Sequence, residues 1–474
     1  MPLYSSYKAL RQDILDEKVN CSQLVAHYLH QANENEHLNI YVEIFADEAI
    51  QKAKALDEKL KSNPEQIGKL FGMVISIKDV ICYKDHQVSA ASKILENFTS
   101  LYTATALEKL LDEDVIVIGR TNCDQFAMGS SNENSIYGPT RNYDDPSRVP
   151  GGSSGGSAVS VQADTCLAAL GSDTGGSVRQ PAAFCGLVGM KPTYGRISRY
   201  GLIAYASSFD QIGTLTHCVY DAALLIELMA GEDEFDASTS TIKVENYSKL
   251  EPVKRPLRIG YFKTALEHPS LSQEIKDKTY QFIQTQEQAG HTIESFEFPL
   301  LEYVIPTYYV LTTAEASSNL SRFDGVRFGF RDDSAKSLDE LYLKSRTEGF
   351  SEEVKKRIML GTFVLSADYY DAYYTKAQKL RQLIKKRMNH IFEHFDLIIM
   401  PTTATTAWEI GSTKDNPIAM YLSDIFTVLP NLSGIPAINL PIGKSEINGM
   451  AIGMQVFSNI NKENLLFAFS KHVT

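Results

Sequence analysis

Two glycine-framed serines and one lysine are the residues of this chain whose types and spacing could do chemistry. Gly151-Gly152-Ser153-Ser154-Gly155-Gly156-Ser157 is followed by Gly171-Ser172-Asp173-Thr174-Gly175-Gly176-Ser177. Glycine permits positive φ and a close approach to the backbone. Successive exposed N–H groups in such turns form a nest for an anion, either a phosphate or the oxyanion of acyl transfer. A serine hydroxyl is a weak nucleophile until a neighbouring base takes its proton. The base candidate is Lys78, in Val74-Ile75-Ser76-Ile77-Lys78-Asp79. With period two, Val74, Ser76 and Lys78 share one strand face, and Ile75 and Ile77 the other. A lysine there is ordinarily the solvent-side residue of a half-exposed strand. Catalysis requires the opposite, a buried amine whose ammonium form is disfavoured. Moving its pKa from ~10.4 to ~7 corresponds to about 4–5 kcal/mol of differential interaction.

Three functional readings compete with a bland one. A nucleotide loop asks for GxxxxGK[ST] or GxGxxG, and neither cluster contains the lysine. A nucleophile elbow asks for GxSxG, which Gly151–Gly155 satisfies around Ser153. That fold needs a later acid and histidine, and His390, His394 and His472 lie in no glycine-rich context. The third reading is a serine nucleophile activated by a lysine through a second serine. The bland reading is two flexible turns, but the two clusters end alike and bracket apolar runs. His390-Ile391-Phe392-Glu393-His394 also matches the HxxEH zinc pattern. It closes a long basic segment, where such residues suit the C-terminus of a helix, and no metal site is expected.

The chain has 474 residues, with 43% hydrophobic and 22% charged residues and a formal net charge of −12. This balance excludes wholesale disorder, collagen and a membrane bundle. No apolar stretch approaches the ~18–20 residues that span a bilayer, and the polar start lacks a signal-peptide pattern. An acidic chain is a poor non-specific ligand for nucleic acid. The cysteines at 21, 82, 123, 166, 185 and 218 are scattered without a CxxC pair. They imply reduced thiols and a cytoplasmic protein rather than a disulfide framework.

The elements that must position the site follow from periodicity. Leu10, Ile14, Leu24, Tyr28, Ala49, Ala53, Leu56 and Leu60 predict helices over 7–60, with Ser22 as an N-cap. Phe71–Val80 reads as a strand, Thr103–Asp112 as a helix and Val115–Ile118 as a buried strand. From Met128 to about Gly213 the chain is rich in Gly, Ser and Pro yet interleaved with apolar runs, which marks an ordered functional region. LRIGYF (257–262), a helix over 271–289 and a strand near 291–298 form a βαβ-like unit. Residues 299–396 are mostly helical, and LIIMPTT, AINLPIG and MAIGMQVF return to strand character. Alternating strands and helices predict an α/β sheet covered on both faces.

GGSSGGSA (151–158), LGSDTGGSVRQPAAFCGLVGMKPTYGR (170–196) and the upstream SIKD (76–79) agree in order, spacing and flanks with the amidase signature family, which the chain resembles. FAMGSSNENS (126–135), SRYGLIAYASSFDQIG (198–213), AEASSNLSRFDGVRFG (314–329), KRIMLGTFVLSADYYDAYYTKAQKLR (356–381) and YLSDIFTVLPNLSGIPAINLPIG (421–443) carry a finer likeness. They resemble the branch that provides the amidase subunits of bacterial aspartyl/glutamyl-tRNA amidotransferases.

The resemblance implies an amidase-signature fold: a large mixed β-sheet with helices on both faces, in a single domain over 1–474. Within it lie N-terminal helices (about 5–62), a signature core (about 65–230) and a helix-rich lobe (about 299–396). Carried over residue by residue, it implies Ser177 as the acyl-forming nucleophile. Ser153, preceded by a cis peptide bond, becomes the proton relay, and Lys78 the base. The backbone N–H groups of Thr174, Gly175, Gly176 and Ser177 become the oxyanion hole. The implied substrate is glutamine, with Arg357 on its carboxylate, Asp424 on its ammonium, and Tyr308 and Ser130 as further contacts. Ammonia would pass to a B-type kinase and tRNA-binding subunit using ATP and Mg, beside a small C-type subunit; this chain would hold no cofactor. A free-standing amidase for another carboxamide and a non-catalytic scaffold are the rivals. The chain departs from the family at Gln125, where Glu is usual, at Met450–Gln455 and in PTTATTA (401–407), which lacks a common second proline.

Overall fold

The computed structural model describes residues 2–413 and 424–473. In chain order the strands are β1 (Tyr41–Ile44), β2 (Val74–Lys78), β3 (Ile116–Thr121), β4 (Ala168–Asp173), β5 (Val188–Lys191), β6 (Gln211–Thr216), β7 (Arg258–Phe262), β8 (Thr292–Phe296), β9 (Leu397–Pro401), β10 (Ala437–Lys444) and β11 (Ala451–Ser458). They form one mixed sheet in the order β1-β3-β2-β4-β6-β5-β10-β11-β9-β7-β8. Every residue of β2 through β6 is buried. A strand covered on both faces needs apolar or small residues at every position, not an alternation.

This burial decides the status of Lys78. Val74, Ser76 and Lys78 do share a face, but that face lies under the helix Gly155–Gln162, which packs on β2 and β4. β2 runs parallel to both β3 and β4, with Ile77 opposite Arg120 on one side and Leu170 on the other. Parallel strands end on the same side, so the C-terminal ends of β2 and β4 bring Lys78 beside Ser172 and Asp173. In open α/β sheets that edge is where ligands bind. β6 runs antiparallel to β4, with Asp173 opposite Gln211, and so delivers Asp210 to the same end.

The glycine-rich stretch alternates loops with regular structure. It contains the helix Gly155–Gln162, β4, the helix Arg179–Cys185, β5 and β6. Elsewhere the elements differ from the periodicity in small ways. The first helices are Tyr7–Leu15, Cys21–Glu34 and Ala46–Ser62. The second is capped by Asn20 rather than Ser22, in a reciprocal capping box with Gln23. Ser22 instead donates its hydroxyl to Asp57 at 2.6 Å. The edge strand β1 interrupts the helices; its four residues are too few to register as a period. The predicted strand 71–80 shortens to β2 because Gly72, at φ +77, belongs to a turn.

The helices Leu301–Asn319, Leu338–Gly349, Glu352–Val364 and Lys376–His394 make up most of the predicted lobe. The first packs against the third and fourth and against the helix Val428–Ser433. Among the described residues no helix is long and apolar enough to cross a membrane.

Candidate active site

Lys78 is fully buried, and its Nζ contacts three hydroxyls: Ser153 Oγ at 2.7 Å, Ser172 Oγ at 2.9 Å and Ser154 Oγ at 3.0 Å. Burial pulls its pKa down to about 8, against the opposing pull of Cys123, Asp124, Asp173 and Asp210 around it. An ammonium has three protons for these three oxygens, whereas a neutral amine has two protons and a lone pair. Ser154 donates its own proton to the Ser172 carbonyl at 3.2 Å, so it accepts from Lys78 in either state. The lone pair of the neutral amine can therefore face Ser153 or Ser172, and the Ser153 contact is the shorter.

The loop that presents Ser153 is held from several sides. The Gly152–Ser153 peptide is cis, as the resemblance implied. Gly152 N–H donates to Gln180 Oε1 at 2.9 Å. The Ser153 carbonyl accepts from Asp124 N–H at 3.2 Å. Asp124 in turn accepts from the N–H groups of Asn132 and Asn134 at 2.9 and 3.0 Å. A Cβ on Gly152 would collide with the Asp124 carboxylate, which explains glycine at that position. Ser177 joins through the main chain: its carbonyl accepts from Ser154 N–H at 3.2 Å. At 8% exposure Ser177 is the most open of the three.

The turn before Ser177 is organised by Asp173. This carboxylate accepts from Gly176 N–H at 2.8 Å and Val178 N–H at 3.2 Å. It also takes a two-pronged contact from Arg179, Nε at 3.1 Å and Nη2 at 3.0 Å. Burial works against its charge, but Arg179 and Asn431 outweigh it and hold the carboxyl at about 2. The Gly176 N–H, one of the four expected oxyanion donors, is bonded to Asp173 in this structure. No described residue accepts from the N–H groups of Thr174, Gly175 or Ser177. Gly176 sits at φ +124, and its Cβ position is filled by Thr427. Both members of the Asp173–Arg179 pair are wholly buried. Asp173→Ala therefore strands a guanidinium in the core and is expected to lower the unfolding free energy by about 3–5 kcal/mol. Chemical denaturation measures this, and an unchanged midpoint would refute the account.

Arg357 and Asp424 lie on either side of Tyr309. Asp424 Oδ1 accepts from Ser130 Oγ at 2.8 Å, and Oδ2 from Tyr309 Oη at 3.0 Å. The Arg357 guanidinium lies 5.6 Å from the Tyr309 ring centroid and 5.7 Å from that of Tyr205. Its Nε pairs with Glu353 at 2.8 Å, and Nη1 donates to Tyr205 Oη at 2.9 Å. It is only 5% exposed, unlike its solvated neighbours Lys355 and Lys356. Tyr308 is at the site but makes a different contact from its neighbour: its phenol fills the space where Gly175 lacks a side chain. The phenol on Asp424 belongs to Tyr309.

Sequence reasoning missed Tyr309, Ser154, Ser172, Asp173, Arg179, Asp124 and Asp210. Five of these lie inside the quoted stretches, and for Asp173 and Arg179 a charged residue flanking a glycine turn was the available signal. Gln125 receives an explanation. Its amide nitrogen donates to Ser92 Oγ at 2.6 Å and the Gly349 carbonyl at 3.4 Å, and its oxygen accepts from Ser351 N–H at 2.8 Å. A glutamate would forfeit both donor contacts between the core and the helical lobe. His390, Glu393 and His394 present metal-ligand atoms within 4.8 Å of one another, but all three are exposed on the helix Lys376–His394.

A dry lysine, two serines from separate turns and the unbonded N–H groups of Thr174, Gly175 and Ser177 define a serine amidase site. The chain belongs to the amidase family: the family model, described as Amidase, matches residues 23–467. It is 46% identical over 476 residues to the A-type subunit of glutamyl-tRNA(Gln) amidotransferase from Chlorobium phaeobacteroides (strain BS1), covering 99% of this chain and 98% of that one. It is 47% identical over 475 residues to the protein of the same name from Chlorobium limicola, covering 99% of each. The crystal structure of the A-type subunit of glutamyl-tRNA(Gln) amidotransferase from Thermotoga maritima superposes with a TM-score of 0.78 at 38% identity, over 95% of this chain and 90% of that one.

Proposed function

We propose that this chain is the glutaminase subunit of a tRNA-dependent amidotransferase, releasing ammonia for the conversion of Glu-tRNA(Gln), Asp-tRNA(Asn) or both. The single observation that carries the chemistry is the fully buried Lys78 amine in contact with Ser153. Ser177 Oγ attacks the side-chain carbonyl carbon of glutamine; its proton passes to Ser153, and the Ser153 proton to Lys78 Nζ. The N–H groups of Thr174, Gly175 and Ser177 hold the oxyanion, where one aimed donor contributes roughly 3–4 kcal/mol. The intermediate collapses as the proton returns through Ser153 to the departing nitrogen, which leaves as ammonia. Water then attacks the glutamyl ester by the same relay and regenerates Ser177.

The other end of glutamine is a zwitterion. Asp424, held by Ser130 and Tyr309, suits the ammonium, and Arg357 suits the carboxylate, since a guanidinium pairs with it through parallel bonds. An amidase for uncharged carboxamides has no need of this pair. Arg357→Ala is expected to raise KM for glutamine about 100-fold, the effect of losing about 3 kcal/mol of charge-assisted bonding. An unchanged KM favours the free-standing amidase reading.

The partners follow from chemistry that this chain does not carry out. Activating a carboxylate on tRNA requires ATP and Mg, which we assign to a B-type subunit that also holds the tRNA; the net charge of −12 suits a chain that leaves tRNA to its partner. A small C-type subunit completes the assembly in the cytoplasm. The deciding experiment is ammonia release from glutamine by the purified chain with and without its co-purifying subunits. Absence of release in both preparations overturns the proposal.

A further inference from the structure

One buried carboxylate ties the oxyanion turn to the Arg357 end of the cleft. Asp210, 3% exposed, immediately precedes β6. Its Oδ1 accepts from Thr174 Oγ at 2.6 Å, and its Oδ2 accepts from the N–H groups of Tyr205 and Ala206 at 2.9 and 3.0 Å. The Tyr205 phenol continues the path. It accepts from Arg357 Nη1 at 2.9 Å and donates to Thr312 Oγ at 3.1 Å, and Thr312 donates to the Tyr308 carbonyl at 2.8 Å. Each hydroxyl proton along this path is used once and in one direction, from Arg357 through Tyr205 and Thr312 to the residue that fills the space at Gly175. The oxyanion turn is therefore gripped twice from the Arg357 side: by Asp210 on Thr174, and by Tyr308 against Gly175.

We propose that Asp210 is a positioning residue, which holds the Thr174 peptide in its oxyanion-binding orientation and makes that orientation depend on a substrate carboxylate at Arg357. The proposal rests on the reading of Arg357 and of the Thr174–Ser177 turn given under the proposed function. Physically, an anion that draws Arg357 Nη1 toward itself moves the Tyr205 phenol. The main chain of Tyr205 and Ala206 is bonded to Asp210, and Asp210 to Thr174. Binding energy at the remote end of the substrate is in this way spent on orientation at the reacting carbon, and appears in kcat instead of KM.

The test compares glutamine with 4-aminobutanamide, which is glutamine without its α-carboxylate, in the assembly of this chain with its subunits. Wild type is expected to turn over glutamine with a kcat about 10²-fold above that for 4-aminobutanamide, the scale of effect that a displaced catalytic group produces. Thr174→Val, which removes the hydroxyl bonded to Asp210 but keeps the shape, is expected to lower kcat for glutamine about 30-fold, with KM changed less than about 3-fold. The kcat ratio between the two amides then falls from about 10² to about 3, because the amide without a carboxylate does not use the coupling. Asp210→Ala should do the same, and Thr174→Ser should restore both kcat and the ratio. An unchanged kcat in Thr174→Val overturns the proposal, as does an equal loss on both amides that preserves their ratio. If the wild-type assembly does not hydrolyse glutamine while a fluorophosphonate still labels Ser177, the glutamine reading fails on its own. The labelling rate then tests Asp210, and equal rates in wild type and Thr174→Val overturn it.

Discussion

Replacing Ser177 with alanine is expected to lower glutamine hydrolysis by ~10⁴-fold or more, the scale on which serine hydrolases lose activity with their nucleophile. The same variant should still support amidation of mischarged tRNA when ammonium is added in place of glutamine. The reason is geometric: the Ser177 hydroxyl is a small group at the mouth of the turn, while the ties that hold the turn run through Asp173, Arg179 and Thr427. Parallel assays with glutamine and with ammonium chloride separate the two activities. Loss of both would make Ser177 structural, and retention of both would leave the chain a scaffold.

The second large effect concerns pH. Only the neutral Lys78 amine can take the Ser153 proton, so kcat/KM should rise about tenfold per pH unit below the lysine pKa of about 8 and level off above it. Lys78→Met should lose at least ~10³-fold in rate and with it this ascending limb. A profile that stays flat from acid to alkaline pH, with chemistry limiting, would remove Lys78 from the role of base.

The same shift has a stability counterpart. The folded pKa of about 8 lies below the unfolded value of ~10.4, so between the two the unfolded chain binds more protons, and stability rises with pH. Below about 8 the folded protein bears the whole cost of burying the ammonium, about 3 kcal/mol. Lys78→Met should therefore gain stability relative to wild type at pH 6, and that advantage should shrink as pH climbs from about 8 to 10. Thermal melts of both proteins across this range measure it; a constant difference would contradict the buried-ammonium account.

The serine-bearing turns, their order and the lysine upstream were legible in the sequence because each depends on neighbours a few residues away: glycines that open a turn and residue types that set a strand period. The Asp173 carboxylate and the Gly176 N–H it binds are three residues apart, yet this commitment was not legible, since a nest of N–H groups looks the same whether or not one of them is already taken. Nor could the sequence distinguish Tyr308 from Tyr309, adjacent aromatics whose roles depend on which side of their helix faces the glycine turn and which faces Asp424. The state of Lys78 is the largest matter left to the tertiary structure. The strand pattern alone favoured a solvated amine; the helix Gly155–Gln162 above it and strands on both sides make it dry. Desolvation is a property of everything packed around a group, drawn here from residues as far as 94 positions away, and no local window of the chain contains it.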